Sequence, residues 1–229
     1  MIQYNVFEKE EDWKQFRAGM FTASEIHRLM TEPKKKDEVL SVGAKTYVME
    51  RVAEMLAPVE PNYYNSAMEH GNETEPQAAL KIAERLGKTV DDDDFIYTSV
   101  GGWIFFHDDE FDLGGTPDII IKGDMICEIK CPLSKTHLEY MMLKTQEDIK
   151  SELPKYYAQM QLNMYLTQTD KCLFVSFDDR FYNPDHHYHE VMVSRDDEYI
   201  ERLKIKAGHA KKMKDEILKS LKNEQFIEA

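Results

Sequence analysis

Long apolar runs are missing from this sequence. No stretch approaches the roughly 20 residues that a membrane-spanning helix requires, so no membrane partner is expected. Cysteine is scarce and odd in number, three in 229 residues, which leaves no disulfide framework and suits reduced thiols. The opening residues, MIQYNVFEKEEDWK, carry no signal-peptide pattern, and a cytoplasmic setting is expected. Positive charge is also short: 29 Lys and Arg stand against 43 Asp and Glu, a net charge of −14. Taken alone, that balance argues against nucleic acid as a partner, because phosphate contacts usually leave a basic footprint. It leaves open a protein whose carboxylates meet phosphate through divalent cations. What is present fits a folded chain: 42% hydrophobic and 11% aromatic residues exclude disorder. The length suits one α/β domain over residues 1–229 better than two.

The hydrophobic period changes along the chain. Residues 11–31 read as two short helices, with Thr22-Ala23-Ser24-Glu25 offering a capping box. Residues 44–57 have helical spacing and end at Pro58 and Pro61, and a further helix is expected from Asn72 to Leu86 with Gly87 as its stop. DFIYTSV, WIFFHD, DLGGTPDIII and MICEIKC then read as successive strands forming a meander. Helices return over 135–149 and 154–168, strands over CLFVSF and HYHEVMVS, and a charged helix over 196–223. The expected class is α/β, with a mixed central sheet flanked by helices.

The chemistry gathers in the middle. Asp118 opens one expected strand, and Glu128 and Lys130 lie inside the next. Side chains at i and i+2 of a strand share a face, so Glu128 and Lys130 project together while Cys127 and Ile129 point away. If the two strands are neighbours, Asp118 reaches the same place. Two carboxylates suit a hard cation such as Mg²⁺, and an ammonium beside them can orient a water or offset negative charge. The bland alternative is a cross-strand salt bridge with a turn aspartate. Glu32-Pro33-Lys34 and Pro184-Asp185 repeat the same elements, but in polar, loop-like sequence.

Asp118 followed by Glu128-Ile129-Lys130 resembles the core signature of the restriction-endonuclease-like nucleases. Within that group the chain is similar to the bacteriophage lambda exonuclease-like and YqaJ-type viral recombinase family over residues 10–205. The resemblance runs through Trp13 to Arg17, Thr22 to Glu25, Gly71 to Glu75, Gly115 to Asp118, Glu128 to Pro132 and Tyr157 to Gln161. It implies a restriction-endonuclease-like core and a Mg²⁺-dependent 5′-to-3′ exonuclease acting on one strand of linear duplex DNA. The products would be 5′-mononucleotides and a 3′ overhang. Asp118, Glu128, Glu75 and the carbonyl of Ile129 would hold two Mg²⁺ ions, for which Mn²⁺ can substitute. Lys130 would hold or activate water, and Gln159 or Gln161 would position that water or a phosphate. Arg17 and Ser24 would receive the terminal 5′-phosphate. Met68, three residues before Gly71, would wedge between terminal bases, its alternative being plain packing under the following helix. The family further implies a ring of three subunits with a positive channel, a single-strand annealing protein as partner, and a host-cytoplasm location for a phage-encoded chain. An endonuclease, a catalytically silent DNA-binding module and a structural or partner-binding protein are the competing readings.

Other features read blandly. His186, His187 and His189 bracket a turn, with His187 and His189 on a solvent face of a strand. Cys127 and Cys131 lack the partners of a zinc or iron–sulfur site. Asp91 to Asp94 read as a solvated turn, and the lysines of 203–222 as an exposed, charge-balanced helix.

Overall fold

A computed structural model describes residues 2–57, 66–99 and 102–224. The chain runs β1 (Ile2–Phe7), α1 (Glu10–Arg17), β2 (Phe21–Thr22), α2 (His27–Met30), α3 (Val42–Leu56) and α4 (Ser66–Arg85). It continues with β3 (Phe95–Tyr97), β4 (Trp103–Asp108), β5 (Leu113–Gly115), β6 (Ile119–Ile121) and β7 (Met125–Lys130). Then come α5 (Ser134–Met141), α6 (Gln146–Glu152), α7 (Pro154–Thr167), β8 (Lys171–Phe177), β9 (Tyr188–Ser194) and α8 (Asp197–Glu224). Pro58 and Pro61 lie outside the described residues.

The fold is α/β with two mixed sheets flanked by helices, ordered β1-β4-β5-β2 and β3-β6-β7-β8-β9. The expected uninterrupted meander is therefore corrected: β4 and β5 leave for the smaller sheet, and β3, β6 and β7 pair antiparallel in the larger one. The physical cause lies at Pro117. A proline offers no N–H to a ladder, and DLGGTPDIII, read as one strand, breaks there into β5 and β6. The N-terminal strand β1, unread in the sequence, pairs with β4 along its full length. The capping box at Thr22 is also corrected. Thr22 belongs to β2, where its strand pairs parallel with β5, and α2 starts later, at His27, without a side-chain cap.

The two sheets share α7. One face of that helix buries Ala158, Leu162 and Leu166 with Phe21, Leu113 and Leu203, and another buries Tyr157, Met160 and Met164 with Ile126, Phe174 and Val193. Helix α4 covers the opposite side of the larger sheet, where Ala78, Ala79 and Ile82 meet Ile119, Cys127 and Ile129. Strand β7 is thus enclosed on both faces, which accounts for its nearly continuous apolar run. Gly115 lets α7 come close to β5, since a Cβ there would stand 2.4 Å from the Asn163 side-chain oxygen.

The terminal helix is more than an exposed face. Lys206 and Lys214 are buried, and Lys206 donates to the carbonyls of Met30 and Thr31. His186 is exposed, while His187 and His189 are half-buried and tied to the backbone, His187 meeting the Phe181 carbonyl at 2.7 Å and His189 the Leu143 carbonyl at 2.7 Å. Of the acidic run, Asp92 closes its turn onto Thr89 and Asp94 pairs with Lys88 at 2.6 Å.

Candidate active site

Strand alternation carries Glu128 and Lys130 to the side of β7 opposite Cys127 and Ile129. The Lys130 ammonium is hydrogen-bonded to the Glu128 carboxylate and lies 4.9 Å from the centre of the Tyr156 ring on α7. Asp118 stands in the turn that leads from Pro117 into β6, and it accepts the Ile129 N–H at 2.6 Å. The same turn is fixed from β3, because the Thr98 hydroxyl donates to the Pro117 carbonyl at 2.6 Å and the Thr98 amide to the Asp118 carbonyl at 3.0 Å. Glu75 approaches from α4, which passes close over the end of β7: a Cβ at Gly71 would stand 3.8 Å from the Cys131 carbonyl oxygen. Its carboxylate accepts from the hydroxyls of Tyr97 at 3.0 Å and Ser99 at 3.1 Å.

Electrostatics mark this cluster as short of positive charge. Burial pushes the Glu128 carboxyl up to about 8, with the Asp118 charge adding to the shift and Lys130 opposing it. Burial also raises Asp118, against the pull of Lys130 and the Ile129 amide. Glu75 is raised by burial and then by Asp118, while the Tyr97 and Ser99 hydroxyls oppose the shift. Burial disfavours the Lys130 ammonium, yet Glu128 and Asp118 together hold it above the ordinary lysine range. Three carboxylates thus interact around one cation. The donors are all oxygen, the chemistry of a hard divalent ion. In the arrangement present, Lys130 occupies Glu128, and no three His, Cys, Asp or Glu side chains among the described residues converge closely enough to ligate one ion. Residues of this type fit a metal provided that Glu128 exchanges its lysine contact for the ion.

A second feature adjoins the first. A cavity of about 110 Å³ is lined by Arg17, Ser24, Thr116, Gln159 and Trp13 among others. Arg17 lies over the Trp13 ring at 4.6 Å, and Trp13 in turn stacks on Trp103 at 4.8 Å. Among the described residues nothing hydrogen-bonds to the Arg17 guanidinium. Burial lowers its pKa, with Glu54 opposing. The buried indole nitrogen of Trp13 likewise has no hydrogen-bond partner among the described residues. The cavity thus presents a guanidinium and an indole N–H beside the Ser24 hydroxyl and the Gln159 amide, with no carboxylate on its wall, a lining that suits an anion.

The structure brings Asp118, Glu128, Lys130, Ile129 and Glu75 together, and separately gathers Arg17, Ser24 and Gln159. Gln161 is placed elsewhere. Its buried amide donates to the Ser194 carbonyl at 2.9 Å and accepts the Asp196 N–H at 2.8 Å. The Met68 side chain lies outside the described residues, although its backbone belongs to α4. Sequence reasoning included Thr116 in the Gly115 to Asp118 motif but gave no role to it, on the cavity wall, or to the Tyr97–Ser99 pair that holds Glu75. Thr116 carried a signal, since it stands two positions before Asp118. Tyr97 and Ser99 carried only strand alternation.

Against known proteins, the family of YqaJ-like viral recombinase domains matches residues 12–171. The crystal structure of an alkaline exonuclease, LHK-Exo, from Laribacter hongkongensis is similar at 26% identity and a TM-score of 0.72, covering 96% of this chain and 100% of that one. The same values hold for LHK-Exo in complex with dAMP. A phage-related exonuclease from Haemophilus somnus 129PT shares the fold at 20% identity and a TM-score of 0.65, covering 88% of this chain and 96% of that one. No curated protein matches the chain. Among the described residues no helix is long and apolar enough to cross a membrane.

Proposed function

The chain belongs to the family of YqaJ-like viral recombinase domains, and from that premise we propose that it is a Mg²⁺-dependent exonuclease that degrades one strand of linear duplex DNA from the 5′ end. It releases 5′-mononucleotides and leaves a 3′ overhang for a single-strand annealing protein. The alkaline exonuclease similar to it over nearly the whole chain supports the reaction class, and its dAMP complex is in keeping with a mononucleotide product.

One observation carries the reading. Thr116 lines the donor-rich cavity and Asp118 belongs to the carboxylate cluster, with only Pro117 between them. Two residues of backbone span at most about 7 Å, the scale of one nucleotide step. A 5′-terminal phosphate held by Arg17, Ser24 and Gln159, beside Thr116 whose hydroxyl is engaged with the Ile104 carbonyl at 2.6 Å, would set the next phosphodiester against the carboxylates. Arg17 supplies a planar fork and full charge to that phosphate, and Ser24 a hydroxyl donor.

Asp118, Glu128 and Glu75, with the Ile129 carbonyl, would hold two Mg²⁺ ions, or Mn²⁺ in their place. These ions supply Lewis acidity at the scissile phosphate and lower the pKa of water. Lys130 orients the attacking water and offsets charge developing on the phosphate oxygens. Tyr97 and Ser99 hold Glu75 in one orientation, and the Ile129 amide does the same for Asp118. Met68 is assigned to wedge between the terminal bases. The acidic exterior is reconciled with DNA binding by a ring of three subunits that presents positive charge only to its channel. A cytoplasmic location, the host's for a phage-encoded chain, completes the reading. The decisive experiment incubates linear and covalently closed duplex with the protein, with Mg²⁺ or with EDTA. Digestion of linear DNA alone, and only with Mg²⁺, is expected. Cleavage of closed circles would instead identify an endonuclease.

A further inference from the structure

Several costly features meet on the six-residue connection that joins Arg17 to Ser24. Gly19 adopts φ +80°, a backbone conformation that strains other residues, and a Cβ there would stand 2.5 Å from the Met55 side chain. Its N–H donates to Glu54 on α3 at 3.0 Å, and its carbonyl accepts from Lys214 on α8 at 2.7 Å. Lys214 is only 5% exposed, and its second contact is the Asp112 carboxylate at 2.8 Å. Asp112 is itself a non-glycine residue at φ +53°, and its backbone carbonyl accepts the Phe21 N–H at 2.8 Å. Lys211 reaches the same carboxylate at 3.0 Å.

The turn is thus gripped from α3, from α8 and from the β4–β5 connection. A buried ammonium and a left-handed aspartate are each unfavourable alone and persist where the surroundings over-determine them. Both act on the turn whose two ends, Arg17 and Ser24, line one anion-complementary cavity. Lys214 and Lys211 lie beyond residue 171, outside the segment that matches the family.

We propose that Lys214, seated on Asp112, is a positioning residue for the terminal-phosphate cavity: it fixes the Gly19 turn so that Arg17 and Ser24 stay on one cavity wall. This rests on the reading of that cavity as the receptor of a 5′-phosphate. Lys214 touches neither DNA nor metal. Its contribution is the register between a helix end bearing the guanidinium and a loop bearing the hydroxyl. Displacements of about 1 Å at such a clamp are enough to cost up to 10²-fold in rate.

The test measures release of the first, end-labelled nucleotide from linear duplex with a 5′-phosphate or a 5′-hydroxyl, because every later end carries a phosphate. Wild type, K214M, K214R and D112N are compared, with melting temperatures recorded alongside. In K214M the KM for phosphorylated ends is expected to rise roughly tenfold, while kcat on hydroxyl ends stays within about twofold. K214R, which keeps the charge and N–H donors, is expected to recover most of the preference. Asparagine tolerates the left-handed region, so D112N is expected to lose part of the preference at a near-native melting temperature. If wild type prefers phosphate and K214M keeps that preference, or loses rate equally on both ends, the positioning role is overturned while the phosphate reading survives. If wild type shows no preference, the phosphate reading itself falls and this inference with it. Should K214M fail to fold, D112N decides by the same criteria.

Discussion

The Ile129 amide donates to the Asp118 carboxylate at 2.6 Å, so the strand that carries Glu128 and Lys130 also aims the acid that precedes β6. The bond uses one Asp118 oxygen and leaves the other for a cation. Replacing Asp118 by asparagine keeps the shape and an acceptor for Ile129 but removes the charge. D118N and E128Q are both expected to abolish nucleotide release while retaining native circular dichroism. K130M is expected to slow it by at least ~10²-fold, the scale of losing one positioned catalytic group. Acid-soluble nucleotide release under saturating Mg²⁺ checks all three, and wild-type turnover in any one of them would remove that residue from the site.

End recognition makes a second prediction. Arg17 has its guanidinium over Trp13 and no hydrogen-bonding partner among the described residues, which leaves its fork available for an anion. Phosphorylated linear duplex should be initiated faster than the hydroxyl form, and R17A should erase most of that difference. Charge-assisted hydrogen bonds contribute about 1.5–3 kcal/mol each, so a change of at least tenfold is expected in the initiation rate. An R17A protein that still discriminates the two ends would locate phosphate recognition elsewhere.

The grouping of Asp118, Glu128 and Lys130 was legible because it is local. Strand periodicity puts Glu128 beside Lys130 whatever the rest of the chain does, and Asp118 needs only one antiparallel neighbour to join them. Arg17 and Ser24 became readable only through the family resemblance, since the turn between them is held by Lys214, nearly two hundred residues away. The split into two sheets was hidden for a related reason. Apolar alternation looks the same in β5 and β6, and only Pro117 between them marks where pairing partners change. Buried Lys206 and Lys214 were misread as solvated because composition does not show which acceptors the fold brings to them.

Acid sensitivity at the start of α8 supplies a third prediction. Asp196 accepts the Tyr199 N–H at 2.9 Å, the Tyr157 hydroxyl at 2.8 Å and the Lys150 ammonium at 2.8 Å. Burial works to raise its pKa, but these partners outweigh it and hold the carboxyl at about 2, below its ordinary 3.8. A depressed folded-state pKa stabilises above the ordinary value and is lost as pH falls towards 2. D196A should therefore cost about 1–2 kcal/mol at pH 7 through loss of the helix cap, and the part of the deficit due to the charged contacts should shrink between pH 4 and pH 2. Urea melts at pH 7 and pH 3 measure it. A deficit unchanged over that range would mean that the charge contributes nothing.

The two glutamines of α7 separate function from structure. Gln159 is half-buried and faces the cavity with Arg17 and Ser24, whereas Gln161 is fully buried and bonded to the backbone at Ser194 and Asp196. They are two positions apart on a helix, roughly 200° around its axis, so one sequence motif serves two sides of the helix. Removing the Gln161 amide strands a carbonyl and an N–H in the interior, each costing about 1–3 kcal/mol. Q161A should thus lower the melting temperature and reduce initiation on phosphorylated and hydroxyl ends in the same proportion. Q159A should leave the melting temperature close to wild type and selectively raise the KM for phosphorylated ends. A Q159A protein that is destabilised but keeps its end preference would make both glutamines structural, and the phosphate cavity would then rest on Arg17 and Ser24 alone.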